Sequence, residues 1–448
     1  MQQDLSVLTD ALLTAATKAG ADAADALASE GRAMQIGVRN GALEETERSE
    51  GLDLGLRVLV GQRQACVSAS DMSDRTITEM AERAVAMALE APEDPYIGLA
   101  DPGQLATKRD ADGLERADPG AEPEAASLQE DARRAEAAAL AFDGISQVES
   151  ASASYGATRV HLAATNGFSG GYARTDRSVV CVAITGEGTD MERDYSYDSR
   201  IFQSDLKSPE EIGREAAERT LSRAGAKQPP TGAYPVLYDE RISSGLIGHL
   251  LSASNGSSIA RGSSWLRDAL GTEVLPKGLS ITEDPHRKRT SASRYFDAEG
   301  LPTQKRAIVE DGVLMGWTLD LANARKLGMD STANAARGPS APPSPSLTNV
   351  DLTQGPLSRA ELMAKMGTGL LVTSMMGSSI NPTTGDYSRG ASGFWVENGE
   401  IAYPVNECTI AGNLLEMLKT LVPANDAKAH LSRRVPSLLV EGLTLAGA

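Results

Sequence analysis

Histidine is scarce in this chain. Its 448 residues hold four, His161, His249, His286 and His430. A catalytic zinc site draws about three ligands from His, Cys or carboxylate and keeps an open position beside a base. Cysteine is scarcer still. Cys66, Cys181 and Cys408 lie far apart, form no CxxC pair and are odd in number, which excludes a full disulfide set. Each sits in an apolar, strand-like run, the setting of a buried, reduced thiol. Basic runs are also missing: Lys and Arg total 43 against 61 Asp and Glu, for a net charge of −18. A nucleic-acid surface needs clustered cations, so a direct DNA role is disfavoured. No run approaches the ~20 apolar residues of a membrane span. The start, Met1-Gln-Gln-Asp, lacks the basic end and apolar core of a secretory signal. The chain reads as cytoplasmic. Neither G-x-x-x-x-G-K-S/T nor G-x-G-x-x-G occurs, so nucleotide binding has no support.

What is present is a repeated alternation of helical and strand-like patterning. At about 150 residues per domain the length suits two or three domains. Leu5, Leu8, Leu12 and Ala15 recur at helical spacing before Gly20. Residues 33–69 then alternate, with turns at Asn40-Gly41 and Gly61-Gln62, which predicts about four antiparallel strands. Asp71 or Ser73 caps a further helix to Glu90, with Ile77, Met80, Ala84 and Met87 on its apolar face. Residues 92–123 hold five prolines and read as a linker or long surface loop. The order then recurs: a helix over 125–142, strands over 148–199 with an Asn166-Gly167 turn, and a helix over 209–223.

The expected fold is therefore α+β. An N-terminal region with helix, antiparallel strands and helix occurring twice is followed by a β-rich C-terminal sandwich or distorted barrel. The expected divisions are 1–91, the linker 92–123, a second layer 124–227, and the β-rich domain 232–448, entered through Gln228-Pro229-Pro230-Thr231-Gly232. In that last domain, strands are predicted over 234–238, 278–282, 307–319, 369–376, 393–403 and 438–444, and a helix over 243–253. Residues 330–349, with four prolines among Ser, Ala and Asn, form a long loop of the kind that more often carries function.

The densest stretch is 381–417. Pro382, Gly385, Gly390 and Gly393 punctuate it, Asp386, Arg389, Glu397, Glu400 and Glu407 lie among them, and Asn398-Gly399 marks a hairpin. So many glycines beside charge and the pair Phe394, Trp395 suit backbone packed against a ligand, another strand or a barrel corner. The segments GDYSRGASGFWVENGEIAYPV and TIAGNLLEML in this stretch resemble the C-terminal signature of the TldD/PmbA family, on its PmbA (TldE) side. VRNGALEETERSEGLDLGLRVLVGQRQACVSASDMS and SLLVEGLTLAG resemble it too, so the likeness spans nearly the whole chain. That family has the historical label of gyrase modulators and includes metalloprotease subunits.

The resemblance implies a metal helix with an HExxxH pattern, and here it departs. In SSGLIGHLLSASNGSS, His249 stands at the first ligand position, Leu250 where the general-base Glu is expected, and Ser254 at the second His. The relatives' C-terminal cysteine ligand has no counterpart after Cys408. A zinc site in this chain is therefore not expected, and His249 reads either as a ligand-binding remnant or as a packed helix histidine. Gly167-Phe168-Ser169-Gly170-Gly171 spells G-x-S-x-G but sits between a turn and a strand, without the helix a nucleophile elbow requires. Glu44, Glu45 and Glu47 suit a solvated strand face.

Asp386 and Arg389 could bind peptide termini or lock a turn internally. Asn334, Arg337, Ser346, Thr348 and Asn349 resemble the family's N-A-x-R … T-N pattern. With His249, Asp386 and Arg389 they are, through the resemblance, expected to line a cleft or subunit interface. It further implies a TldD-like, zinc-bearing partner with which this chain, lacking a cofactor of its own, forms a heterodimer that cuts unfolded peptides or matures a peptide precursor of the microcin type. The alternative is a homodimer that binds peptide without cutting it.

Overall fold

The computed structural model describes residues 4–447, so the Met1–Gln3 start falls outside the described residues. Asp4 caps α1 (Leu5–Lys18), whose Leu5, Leu8, Leu12 and Ala16 are buried. Three long strands follow, β1 (Ala23–Arg39), β2 (Ala42–Val60) and β3 (Arg63–Ala69), where about four shorter ones were expected over 33–69. The polar run Ser29–Arg32 hides the start of β1 from a pattern reading, because the middle of this strand touches no core. The Asn40-Gly41 turn is as read: both residues have positive φ, +53° and +71°, the geometry a tight hairpin demands. Ser73 then caps α2 (Asp74–Glu90). Met87 on that helix is exposed, not buried: Ala81, Val85 and Ala88 complete the apolar stripe and turn it away.

The order repeats as α3 (Ala125–Leu140), β4 (Ile145–Ala164), β5 (Ser169–Thr185), β6 (Glu192–Arg200) and α4 (Pro209–Leu221). The two sets of strands form one sheet, in the order β3-β2-β1-β4-β5-β6, because β1 pairs antiparallel with β4 from Asp25↔Ala164 to Val38↔Ala151. Side chains alternate between its faces. The even-numbered residues of β1 meet α1 and α2 at one end (Ala24, Ala26, Ala28) and α3 and α4 at the other (Met34, Ile36, Val38). The opposite face carries Leu27 and Leu162 against Phe168 and Phe296.

The segment 92–123 has no long element but is packed: Ala100, Ala106 and Leu114 are buried. Its backbone bonds to both halves, through Gly171 N–H to Arg109 and Ala106 N–H to Gly300.

The C-terminal region runs β7 (Gly232–Tyr238), α5 (Glu240–Ala253), α6 (Gly256–Ala260), β8 (Ile281–Glu283), β9 (Arg306–Glu310), β10 (Val313–Leu314), α7 (Leu321–Leu327), β11 (Ala335–Ala336), β12 (Ser344–Pro345) and β13 (Val350–Leu352). It continues with α8 (Arg359–Met366), β14 (Gly369–Ile380), β15 (Asp386–Glu397), β16 (Glu400–Asn413), α9 (Leu414–Lys419), β17 (Val422–Pro423), β18 (Arg433–Arg434) and β19 (Leu438–Ala446). Of the strand expected over 307–319, only β9 and β10 form. The pairing β16-β15-β14-β7-β19 closes through β16–β19, Thr409↔Ala446 to Ala411↔Thr444, so this is a barrel and not a sandwich. Val236, Tyr238, Leu370, Val372, Leu438 and Val440 face the main core with α5. Leu237, Leu371 and Leu439 face a smaller cluster with α8.

Candidate functional site

The helix that the resemblance sets against the relatives' metal helix is α5. Asp239 caps it by accepting from the Arg241 N–H, and Leu246, Ile247, Leu250 and Leu251 are buried on its core side. His249 lies at the edge of that stripe, its ring edge-on to Tyr387 with centroids 5.8 Å apart. Its Nε2 is buried and has no hydrogen-bond partner among the described residues. Burial holds the imidazole below its ordinary value, and the positive charge of Arg389 adds to the effect. Tyr387 and Arg389 are two apart on β15 and so share a face. Behind Tyr387 sits Tyr238, whose phenol burial pushes well above its usual range, Tyr387 contributing further. Histidine, two tyrosines and an arginine thus converge from α5, β7 and β15.

This donor set does not fit zinc. Leu250 is fully buried in the core. Ser254 ends the helix, its N–H bonded to the Leu250 carbonyl and its Oγ donating to Leu251 O at 3.0 Å. Cys408 donates to Ala391 O at 3.2 Å, and burial pushes its thiol up to about 11, far from a thiolate. Among the described residues no three His, Cys, Asp or Glu side chains cluster in metal-holding geometry.

The remaining candidates separate. Asp386 accepts from Thr384 Oγ1 at 2.7 Å and Asn413 Nδ2 at 3.1 Å, while Arg389 Nε donates to Gly377 O at 2.8 Å. They stand on strand β15 rather than in a turn, and alternation sends them to opposite faces, so they form no mutual lock. Asn334 and Thr348 are buried and converge on Glu283: its Oε1 accepts Asn334 Nδ2 at 2.8 Å and the Thr348 N–H and Oγ1 at 2.7 and 2.8 Å, and its Oε2 accepts Arg306 Nε at 2.8 Å. Asn349 donates to Asp284 O and Ser293 Oγ. Ser346 offers its carbonyl to Asn334 and Arg294. These residues fasten the 330–349 loop onto β8. The Arg337 side chain is wholly buried and pairs with Asp25 of β1, which also holds Arg57 Nε at 2.6 Å. Sequence reasoning singled out Arg337 but not Asp25, Arg57, Glu283 or Tyr387. Their partners come from distant strands, and nothing local marks them.

Ser169 meets a base after all: its Oγ lies 3.4 Å from His161 Nε2, and His161 Nδ1 lies 2.9 Å from Thr9 Oγ1. The contact is long and exposed, Thr9 is no carboxylate, and Ser169 begins a strand rather than an elbow helix. It does not make a nucleophilic site. Cys181 is buried with its thiol pushed up to about 12, and Cys66 is half-buried.

Comparison with known proteins agrees with the sequence likeness. Residues 24–88, 118–224 and 231–447 match, respectively, domain 1, the central domain and the C-terminal domain of the PmbA/TldA metallopeptidases. Metalloprotease PmbA of Escherichia coli O157:H7 is 38% identical over 98% of this chain and 96% of its own length. A PmbA homologue of Haemophilus influenzae is 37% identical over 100% and 97%. Among solved structures, a proposed modulator of DNA gyrase from Bacteroides thetaiotaomicron superposes with a TM-score of 0.92 at 28% identity, covering 100% of both chains. TldE from Thermococcus kodakarensis shares the fold, with a TM-score of 0.86 at 19% identity over 98% of this chain and 100% of its own.

Proposed function

The chain belongs to the PmbA/TldD metallopeptidase family, and from that premise we propose that it is a PmbA/TldE-type subunit with no catalytic metal of its own. In this reading it pairs with a TldD-like chain that carries the zinc and the general base. It closes one side of a cytoplasmic chamber in which that partner cuts unfolded peptides or peptide precursors.

The observation that carries the reading is α5. A metallopeptidase helix must present two imidazoles and a carboxylate to one space. Here Leu250 is committed to the core and Ser254 to the end of the helix, so only His249 remains. Restoring the missing groups needs more than two substitutions, because a Glu at position 250 places a carboxylate in an apolar core. What a bound chain can meet here is the half-buried His249 ring, whose imidazole burial holds below its ordinary value, and Arg389 beside it.

The test is zinc content by mass spectrometry together with cleavage of unstructured peptides, for the purified chain alone and mixed with an HExxxH-bearing relative from the same organism. The expected result is no stoichiometric zinc and no cleavage alone, with cleavage in the mixture that exceeds the relative by itself. Zinc and cleavage by the isolated chain would overturn the assignment. Peptide binding by the chain alone, with no gain on mixing, would favour the homodimeric binding protein.

A further inference from the structure

A second feature stands apart from α5 and does not depend on the subunit reading. Between the loop-facing side of the N-terminal sheet and the 330–349 loop lies a cavity of about 190 Å³. Leu27 of β1, Val160 and Leu162 of β4, and Phe296 give it apolar walls. Two arginines, Arg294 and Arg337, also line it.

Their bonding is incomplete. The Arg337 side chain is 0% exposed, and its partner Asp25 is shared with Arg57, so one carboxylate serves two buried guanidiniums and the group retains a positive charge. Arg337 Nη2 and Arg294 Nε are buried and reach no acceptor among the described residues. Arg294 spends Nη2 on Ser346 O at 3.1 Å. The one carboxylate on the wall, Asp297, is engaged by the N–H groups of Glu299, Leu301 and Ala335 at 2.9 to 3.0 Å. A third guanidinium, Arg116, stacks on the Tyr172 ring beside the cavity at 4.3 Å. Buried donors without acceptors are costly, and paired guanidiniums match a carboxylate best. Apolar walls with a few convergent polar groups are the general form of a small-molecule pocket.

We propose that this cavity binds a carboxylate on a short branched aliphatic chain, the carboxylate meeting Arg294 and Arg337 and the chain filling the space between Leu27, Val160, Leu162 and Phe296. Two sources share that chemistry: a free branched acid, and the C-terminal residue of a peptide.

Calorimetric titration of the full chain with 4-methylpentanoate and with neutral 4-methylpentanamide tests the proposal. N-acetyl-Ala-Leu and its C-terminal amide form the second pair. At least one acid is expected to bind tenfold or more tightly than its amide. Binding of the first acid alone assigns the free acid, and binding of the peptide acid assigns a chain terminus. Arg294→Met should erase the acid–amide ratio, and Ala298→Leu, which fills the cavity, should abolish binding of both. Acid and amide binding equally, or a ratio unchanged in Arg294→Met, overturns the proposal. So does the failure of all four probes to bind the folded wild-type chain, which would mean that the guanidiniums are satisfied by buried water. If Arg294→Met fails to fold, the wild-type ratio and the Ala298→Leu result still decide.

Discussion

Glu299 is almost fully buried, and its Oε2 accepts the Leu321 N–H at 2.9 Å. Burial, reinforced by neighbouring Asp297, pushes its carboxyl up to about 8. An unfolded glutamate titrates near 4.3, so between about pH 4.3 and 8 the folded chain holds a proton that the unfolded chain releases. This residue's contribution to stability is therefore full below that window and is lost as pH rises through it. Glu299→Gln keeps the acceptor and removes the titration. Thermal unfolding from pH 5 to 8 should fall less steeply for the variant, with the gap in its favour widest at pH 8. Parallel curves would show that Glu299 ionises normally. Nothing in the local sequence singles Glu299 out, because the groups that bury it come from α7, β2 and the 330–349 loop. By contrast, that Leu250 can supply no base and Ser254 no imidazole was legible residue by residue, since chemistry of that kind resides in the side chain itself.

The helices of the N-terminal half were legible as elements, because caps and apolar spacing are local. Their packing was not. Gly213 in α4 shows the difference: a Cβ there would lie 2.1 Å from the Ala135 carbonyl oxygen and 2.9 Å from Ala138 Cβ, so the glycine lets α4 lie directly on α3. In an exposed helix Gly→Ala is favourable by up to ~1 kcal/mol. Here the clash is with backbone, and overpacking of ~1–3 kcal/mol should exceed the propensity gain. Gly213→Ala is thus expected to lower the urea midpoint, while Gly245→Ala in α5, where a Cβ meets nothing within 4 Å, should not. The short helices α7 and α8 escaped the sequence reading because seven or eight residues give little periodicity to detect.

At the scale of the molecule, the two halves are joined by charge in the interior. Arg57 and Asp25 of the N-terminal sheet and Arg337 of the C-terminal loop are 5%, 4% and 0% exposed. The 337–339 segment seats so closely that a Cβ on Gly55 would lie 2.4 Å from Pro339 O. Arg325 also binds the carbonyls of Tyr96 and Leu99 in the connecting strap. The halves should therefore unfold together. Trp265, Trp317 and Trp395 all lie in the C-terminal half, so their fluorescence reports that half alone. Far-UV dichroism is weighted towards the long helices of the other. The two denaturation curves are expected to coincide, and two separated transitions would refute the coupling. Asp25→Asn strips the counter-charge from two buried guanidiniums and should cost about 3–5 kcal/mol.

The sequence by itself determined the family, the four helices of the N-terminal half, the Asn-Gly turns, and that Leu250 and Ser254 near His249 supply neither a base nor an imidazole. All of these are written in spacing or in residue type within a few positions. Tertiary structure alone decided that β1 pairs with β4 to merge the two repeats into one sheet, and that β16 meets β19 to close the barrel. It also turned Asn334, Thr348 and Asn349 inward as loop anchors and set Arg337 on Asp25. Each of these is a pairing between segments well separated along the chain, or a choice of which face a loop presents. Such choices depend on which buried donors and acceptors find one another when the chain collapses. Local periodicity holds no record of that.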